Sequence, residues 1–303
     1  MRLAIAASNK DSEPLLAELH SAPTLNVVGI SHPDPSVRRR LGKLAGLVTA
    51  PSLDSLQHQI DAQAIVLAPG YSPTSATEER PISLPSGTFL SSTNNRFVTD
   101  LLNDVNEQGI NSLALLPSLY RHPYSVLRES LDSERVGSPR FLRWTSWRPG
   151  PVALHDLLID ELVAVLNLMG QAPMTAYGVS HSIDADTDNY LVATLTFEHG
   201  LTAALDIGAA LAGGHPFNRV MFVGTNGSIH TDSRASSVTH LDHATASPLE
   251  TARPLDAYVH AVAAFTRSDT APNELALGAL RTADALLSSC ASGRPVQITT
   301  SSP

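Results

Sequence analysis

The first third of the chain alternates short apolar runs with amphipathic stretches. Strand-like runs at 2–7, 25–31, 47–50, 64–69, 87–91 and 112–116 are separated by helix-like segments at 13–20, 36–44, 52–60 and 95–108. Strand and helix alternating at these lengths predict right-handed crossovers and a parallel, doubly wound α/β sheet. Ligands of such a sheet sit outside the carboxyl ends of its strands.

From 139 onward the period changes to two. Segments 140–147, 174–183, 190–198, 201–209, 219–223 and 228–231 read as strands of an open, largely antiparallel sheet, so the second part is α+β. Ala203, Ala204, Ala209 and Ala210 put small side chains on one strand, which suits a sheet face covered by helices or by another subunit. Residues 232–253, rich in Ser, Thr, His and Ala, read as loop, and helices are expected at about 255–266 and 273–289. At 303 residues the chain exceeds one usual core. The expected domains are 1–120 and 121–303, with the terminal helices able to pack back on the first.

Composition narrows the function classes. Hydrophobic residues make up 43% of the chain, yet no apolar run approaches the roughly 18 residues that span a bilayer. The start, MRLAIAASNKD, is too briefly apolar and too soon acidic for a signal peptide, and Cys290 alone allows no internal disulfide. A cytoplasmic protein with no membrane partner is the expectation. The net charge of -9 argues against nucleic acid, and the one basic run, Arg38-Arg39-Arg40, reads as a solvated helix face. His240 and His243 lack a second ligand pair at metal spacing, so no metal site is expected.

The segment 155–173, HDLLIDELVAVLNLMGQAP, reads as a helix with one buried side: Leu158, Leu162, Val165, Leu168 and Met169 recur at helical spacing, and Gly170 and Pro173 close it. Asp156 and Asp160 stand four apart on one face. Asp156 can serve as an N-terminal cap and Asp160 as a solvated charge, or the two can form a functional pair.

Five segments in order carry a resemblance over essentially the whole chain. They are Tyr120-Arg121-His122-Pro123; Asp132-Ser133-Glu134-Arg135-Val136-Gly137-Ser138-Pro139; the helix just described; Phe222-Val223-Gly224-Thr225-Asn226-Gly227-Ser228-Ile229; and 281–296, ending in a Gly-x-Pro-Val exit. Their order resembles the glucose-fructose oxidoreductase, inositol dehydrogenase and MocA (Gfo/Idh/MocA) family. The resemblance implies a Rossmann domain, an open-faced sheet domain, NAD or NADP, a sugar, polyol or related small molecule as substrate, and a homo-oligomer formed through the C-terminal sheet.

It also assigns positions, several of them altered. The dinucleotide would meet Ala6, Ser8, Asn9 and Lys10 after the first strand, His32 after the second, Pro69 after the fourth, and Thr93. A phosphate loop needs glycines so that backbone N–H groups can approach the pyrophosphate. Ala6, Ser8 and Asp11 stand there instead, so binding is expected to be weak or absent. His32 replaces the acid that holds the ribose hydroxyls, which either favours a 2'-phosphate or marks a lost ribose contact. Asn94 falls where the family has a lysine, and Asp160 where it has its histidine acid/base; Asp156 matches the family's aspartate. An ordinary carboxylate has a pKa of about 4, poor for a general acid, although two carboxylates sharing a pocket can raise one of them. His155 could supply the missing imidazole or simply cap the helix, and Arg121 could bind a substrate anion or make a structural ion pair. Trp144 and Trp147 fall on opposite faces of a strand, so Trp147 with Arg148, beside Tyr120, is the expected substrate-lining group. Three functions stay open: a divergent oxidoreductase, a non-catalytic ligand-binding or partner subunit, and a lyase or isomerase on the same scaffold.

Overall fold

The computed structural model describes residues 2–7, 13–43, 47–68, 88–90, 112–114, 116–120, 124–149, 154–182, 189–211, 216–232, 238–241, 246–249, 259, 261–262 and 271–298. The chain divides into two compact units, residues 1–117 with 256–274, and residues 118–255 with 275–303.

In the first unit β1 (Arg2–Ala6), β2 (Asn26–Ser31), β3 (Val48–Ala50), β4 (Ala64–Leu67), β5 (Thr88–Leu90) and β6 (Ser112–Ala114) form a parallel sheet in the order β3-β2-β1-β4-β5-β6. That order, with the sequence reversing direction between β1 and β4, is the doubly wound dinucleotide-binding arrangement. Helices α1 (Glu13–Ser21), α2 (Pro35–Leu41) and α3 (Leu53–Gln57) lie between the strands in sequence. Every residue of β4, and all of β1 after Arg2, is at most 1% exposed. A strand covered on both faces reads as an unbroken apolar run, which is why 2–7 and 64–69 show no alternation. The distant segment is hydrogen-bonded into this unit: the Ala114 N–H donates to Asn273 Oδ1 at 2.6 Å, and the Val259 N–H to Glu18 Oε1 at 3.3 Å.

The second unit holds β7 (Pro139–Pro149), β8 (Thr175–His181), β9 (Tyr190–Thr196), β10 (Thr202–Leu211), β11 (Phe217–Gly224), β12 (Ser228–Asp232), β13 (Val238–Leu241), β14 (Ala246–Leu249) and β15 (Val296–Gln297). They form one sheet in the order β14-β13-β12-β11-β7-β10-β9-β8-β15. Within this sheet, among the described strands, only the β7–β10 pair is parallel. Helices α4 (Tyr124–Asp132), α5 (Leu154–Met169) and α6 (Ala271–Ser292) accompany it. Period-two burial is plain on β9, where Leu191, Ala193 and Leu195 are buried and Val192 is 50% exposed.

The expected loop at 232–253 is a misreading, since β13 and β14 lie within it and extend the sheet beyond β12. These short strands carry Thr239, His240 and Ser247, so they show no apolar alternation; backbone pairing to the preceding strand makes them strands.

Two motifs that were separate in sequence meet in space. Gly137, at φ +68, sits so close to Thr225 that a Cβ would fall 2.1 Å from Thr225 Oγ1, and a Cβ on Gly224 would fall 2.1 Å from the Val136 carbonyl oxygen. The Thr225 N–H donates to the Ser138 carbonyl at 3.0 Å, and the Asn226 N–H to the Val136 carbonyl at 3.0 Å. The bridge and the Gly-Thr-x-Gly-Ser hairpin are thus two halves of one backbone clamp. Gly170, at φ +71, has open space where a Cβ would go. Gly170→Ala is therefore expected to cost about 1–2 kcal/mol, the left-handed penalty alone, and Gly137→Ala at least about 3 kcal/mol, because overpacking adds to it. Urea unfolding of both variants checks the ranking.

Candidate functional site

Helix α5 carries the residues around which the site is built. Leu157, Leu158, Ile159, Leu162, Val163, Ala164, Val165, Leu166, Leu168 and Met169 are all at most 4% exposed, so the helix is buried nearly all round and not along one side as its sequence suggests. Gly170 ends it in a left-handed conformation, its N–H returning to the Leu166 carbonyl at 2.9 Å.

Within this apolar helix lies Glu161, 4% exposed. An isolated buried carboxylate would be prohibitively costly, so its partners decide whether the fold can hold it. Three donors from alternate residues of β7 converge on it: Trp144 Nε1 at 2.6 Å to Oε2, Ser146 Oγ at 2.7 Å to Oε1, and the Arg148 guanidinium at 2.8 Å to Oε1. Alternation along the strand puts residues 144, 146 and 148 on the face toward α5. Burial works against the Arg148 charge, but the Glu161 carboxylate, its hydrogen bond and Asp160 together hold the guanidinium above its ordinary value. Arg148 Nε is buried and has no hydrogen-bond partner among the described residues. The arrangement therefore presents a cation, anchored from beneath by Glu161, to the half-buried carboxylate of Asp160.

Sequence reasoning passed over Glu161, although a signal was present. It falls three residues after Leu158 and four before Val165, inside the apolar stripe, where a carboxylate must find buried donors.

The structure places the predicted site residues as follows. Asp160 is half-buried and within electrostatic reach of Arg148. Asp156 is in the first turn of α5, and its side chain lies outside the described residues. His155 Nε2 is 3.8 Å from Asp284 Oδ1 of α6, a pair that is ionic only when the imidazole is protonated. Tyr120 closes a short 3-10 turn, Pro117–Tyr120, near the buried phenol of Tyr124, which burial pushes above its ordinary range and to which Asn167 Nδ2 donates. The pairing of Trp147 with Arg148 does not hold. As strand neighbours they point to opposite faces, and Trp147 Nε1 donates instead to Asp206 Oδ1 at 2.8 Å, on the far side of the sheet from α5. Tyr190 also donates to Asp206, and Trp147 packs on Phe217 with ring centroids 5.8 Å apart. Asn94, Arg121, Ser8, Asn9, Lys10, Pro69 and Thr93 lie outside the described residues.

In the first unit the strand ends carry the remaining positions. Ala6 is the last residue of β1, fully buried, and its carbonyl accepts from the Ala68 N–H at 2.7 Å. The Ala7 N–H donates to the Ser31 carbonyl at 3.0 Å, which brings the ends of β1 and β2 side by side. His32, just past β2, is 3% exposed; its Nδ1 accepts from the Asp34 N–H at 3.1 Å, and its Nε2 has no partner among the described residues, nor has Ser31 Oγ. Arg38 is not a simply solvated charge: its guanidinium turns back to the carbonyls of His32 at 2.6 Å and Pro33 at 2.7 Å. Asp34 caps α2 by accepting from Ser36 N and Oγ, both at 2.7 Å, and these bonds hold its carboxyl below the usual range.

Comparison with known proteins agrees with this architecture. Residues 124–230 match the family model of the GFO/IDH/MocA C-terminal domain. An oxidoreductase from Agrobacterium radiobacter, solved with NAD+, L-tartaric acid and magnesium, shares the fold at a TM-score of 0.79 and 14% identity, over 98% of each chain. A protein from Sinorhizobium meliloti, provisionally named a myo-inositol dehydrogenase, superposes at 0.81 with 17% identity, covering 99% of this chain and 100% of its own. One from Desulfitobacterium hafniense, provisionally named an NADPH-dependent oxidoreductase, does so at 0.82 with 14% identity, over 98% and 97%. No curated protein matches. A doubly wound sheet followed in sequence by an open mixed sheet defines the class as a two-unit α/β protein. Residues 124–230 are similar to the C-terminal domain of the GFO/IDH/MocA family, and the fold throughout is that of the solved neighbours.

Removing the Glu161 carboxylate would leave an indole N–H and a guanidinium without that acceptor, while the Ser146 hydroxyl keeps Asn218 Oδ1 at 2.9 Å. Glu161→Ala is accordingly expected to destabilise the protein by about 3–5 kcal/mol, the range for breaking a buried ion pair on one side. Chemical denaturation checks this; a loss below about 1 kcal/mol would mean that water replaces the carboxylate.

Proposed function

We propose that this chain is an NAD(P)-dependent oxidoreductase of divergent active site, acting on a sugar, polyol or related small molecule, with a carboxylate in place of the family's histidine. The observation that carries the reading is the Asp160 carboxylate within electrostatic reach of the Arg148 guanidinium that Glu161 anchors, at the helix position where the resemblance puts the acid/base. A carboxylate can accept a proton, so Asp160 suits the role of base in the alcohol-oxidising direction. A bound nicotinamide would take the hydride from the carbinol carbon. Asp160 takes the hydroxyl proton, and Arg148 stabilises the oxygen as it loses that proton. The order of strands in the first unit and the NAD complex of the Agrobacterium radiobacter neighbour support a dinucleotide. The altered loop after β1 makes that binding weak: each lost backbone contact to a charged pyrophosphate costs roughly 1.5–3 kcal/mol, tenfold or more in affinity.

A second reading, a non-catalytic partner subunit assembling through its sheet, draws on Met174, Tyr177, Val179 and Val192, large apolar side chains 40% to 54% exposed. Self-association of this face fits either reading, since alternate residues of β8 and β9 leave an apolar surface in water. No described helix is long and apolar enough to cross a membrane.

Asp160→Asn separates the readings. If Asp160 accepts the proton, turnover in a sugar and polyol screen disappears while the melting temperature holds. Equal turnover in both proteins, or none in either, contradicts the oxidoreductase reading. Calorimetric titration with NADH and NADPH is expected to give dissociation constants above about 1 μM; a submicromolar value would overturn the weak-binding expectation. Light scattering should show a dimer or larger species that Val179→Lys with Val192→Lys reduces to monomer.

A further inference from the structure

We infer that the end of β2 is built to receive a 2'-phosphate, so that the chain takes NADP(H) in preference to NAD(H). The inference rests on the proposed dinucleotide reading and adds the ligand's chemistry at one position. In a sheet ordered β3-β2-β1-β4-β5-β6 the dinucleotide crosses the carboxyl ends of the strands, and its adenosine ribose falls at the end of β2. A free ribose offers hydroxyl donors there and needs an acceptor, which a carboxylate supplies. This chain offers the reverse.

The tautomer of His32 is fixed by its neighbour. Its Nδ1 accepts the Asp34 N–H at 3.1 Å, so the ring proton is on Nε2. That N–H is buried and without a partner among the described residues, and the adjacent Ser31 hydroxyl is in the same condition. An unpaired buried donor is costly, and a phosphate oxygen, which only accepts, satisfies the His32 N–H. Charge agrees with hydrogen bonding. Arg38 is tied by its guanidinium to the carbonyls of His32 and Pro33, which fixes a positive charge on the same loop. The loop's one carboxylate, Asp34, has Oδ1 committed to Ser36 N and Oγ at the start of α2.

The test uses the intact protein and calorimetry, with no need for turnover. NADPH should bind at least about tenfold more tightly than NADH, and 2',5'-ADP at least about tenfold more tightly than 5'-AMP, which lacks only the 2'-phosphate and makes the comparison independent of the loop after β1. Arg38→Gln should remove most of that difference without weakening NADH or 5'-AMP. Asp34→Asn should leave it standing. If NADH binds as tightly as NADPH, or if NADH binding collapses in Asp34→Asn, the ribose hydroxyls are held by Asp34 and the inference falls while the dinucleotide reading survives. If none of the four ligands binds, both fall. Should Arg38→Gln unfold, the wild-type comparison of 2',5'-ADP with 5'-AMP still decides.

Discussion

One buried carboxylate sets the geometry of the second unit. Glu161 sits in a helix buried nearly all round and is tolerable there only because Trp144, Ser146 and Arg148 deliver three donors from one strand face. Strand alternation supplies the spacing of the donors and helical periodicity supplies the position of the acceptor. Neither element can rotate or slip without stranding a charge. Helix α5 is therefore locked in register on β7, and with it Asp160, the next residue back.

The same lock gives the site its polarity. A guanidinium with only Asp160 as partner would be free to swing toward any anion. Anchored by Glu161, Arg148 presents a fixed cation, and under the proposed function that cation is what would stabilise charge developing on a substrate oxygen. On the far side of the sheet Asp206 does analogous work for Trp147 and Tyr190, ordering the open face instead of the helix side.

Much of the fold was legible because periodicity reports burial directly. The parallel sheet showed as unbroken apolar runs, and the sheet of the second unit as alternation. The bridge and the hairpin were recognisable as motifs for a reason now visible: Gly224 packs against the Val136 backbone and Gly137 against the Thr225 and Asn226 side chains, too close for a Cβ at either. What stayed hidden was what depends on partners far away in sequence. β13 and β14 are strands because β12 offers an edge, which their own residues do not announce. Glu161 looked like one more helix charge, and Trp147 seemed to belong with Arg148 until the two-residue strand period separated them. Asp160 was legible as a position, but the cation facing it was not. His32 was legible as a departure, and only its hydrogen bond to the Asp34 N–H shows which ring nitrogen is left to donate.

The register of α5 on β7 depends on Glu161 and Arg148 acting as a unit, and a double-mutant cycle measures that most directly. Glu161→Gln, Arg148→Met and the double variant, each followed by urea denaturation, should give an interaction energy of about 2 kcal/mol or more, as for close, desolvated partners. Additive losses, with an interaction energy within about 0.5 kcal/mol of zero, would show that the two side chains are solvated independently and that nothing fixes Arg148 beside Asp160.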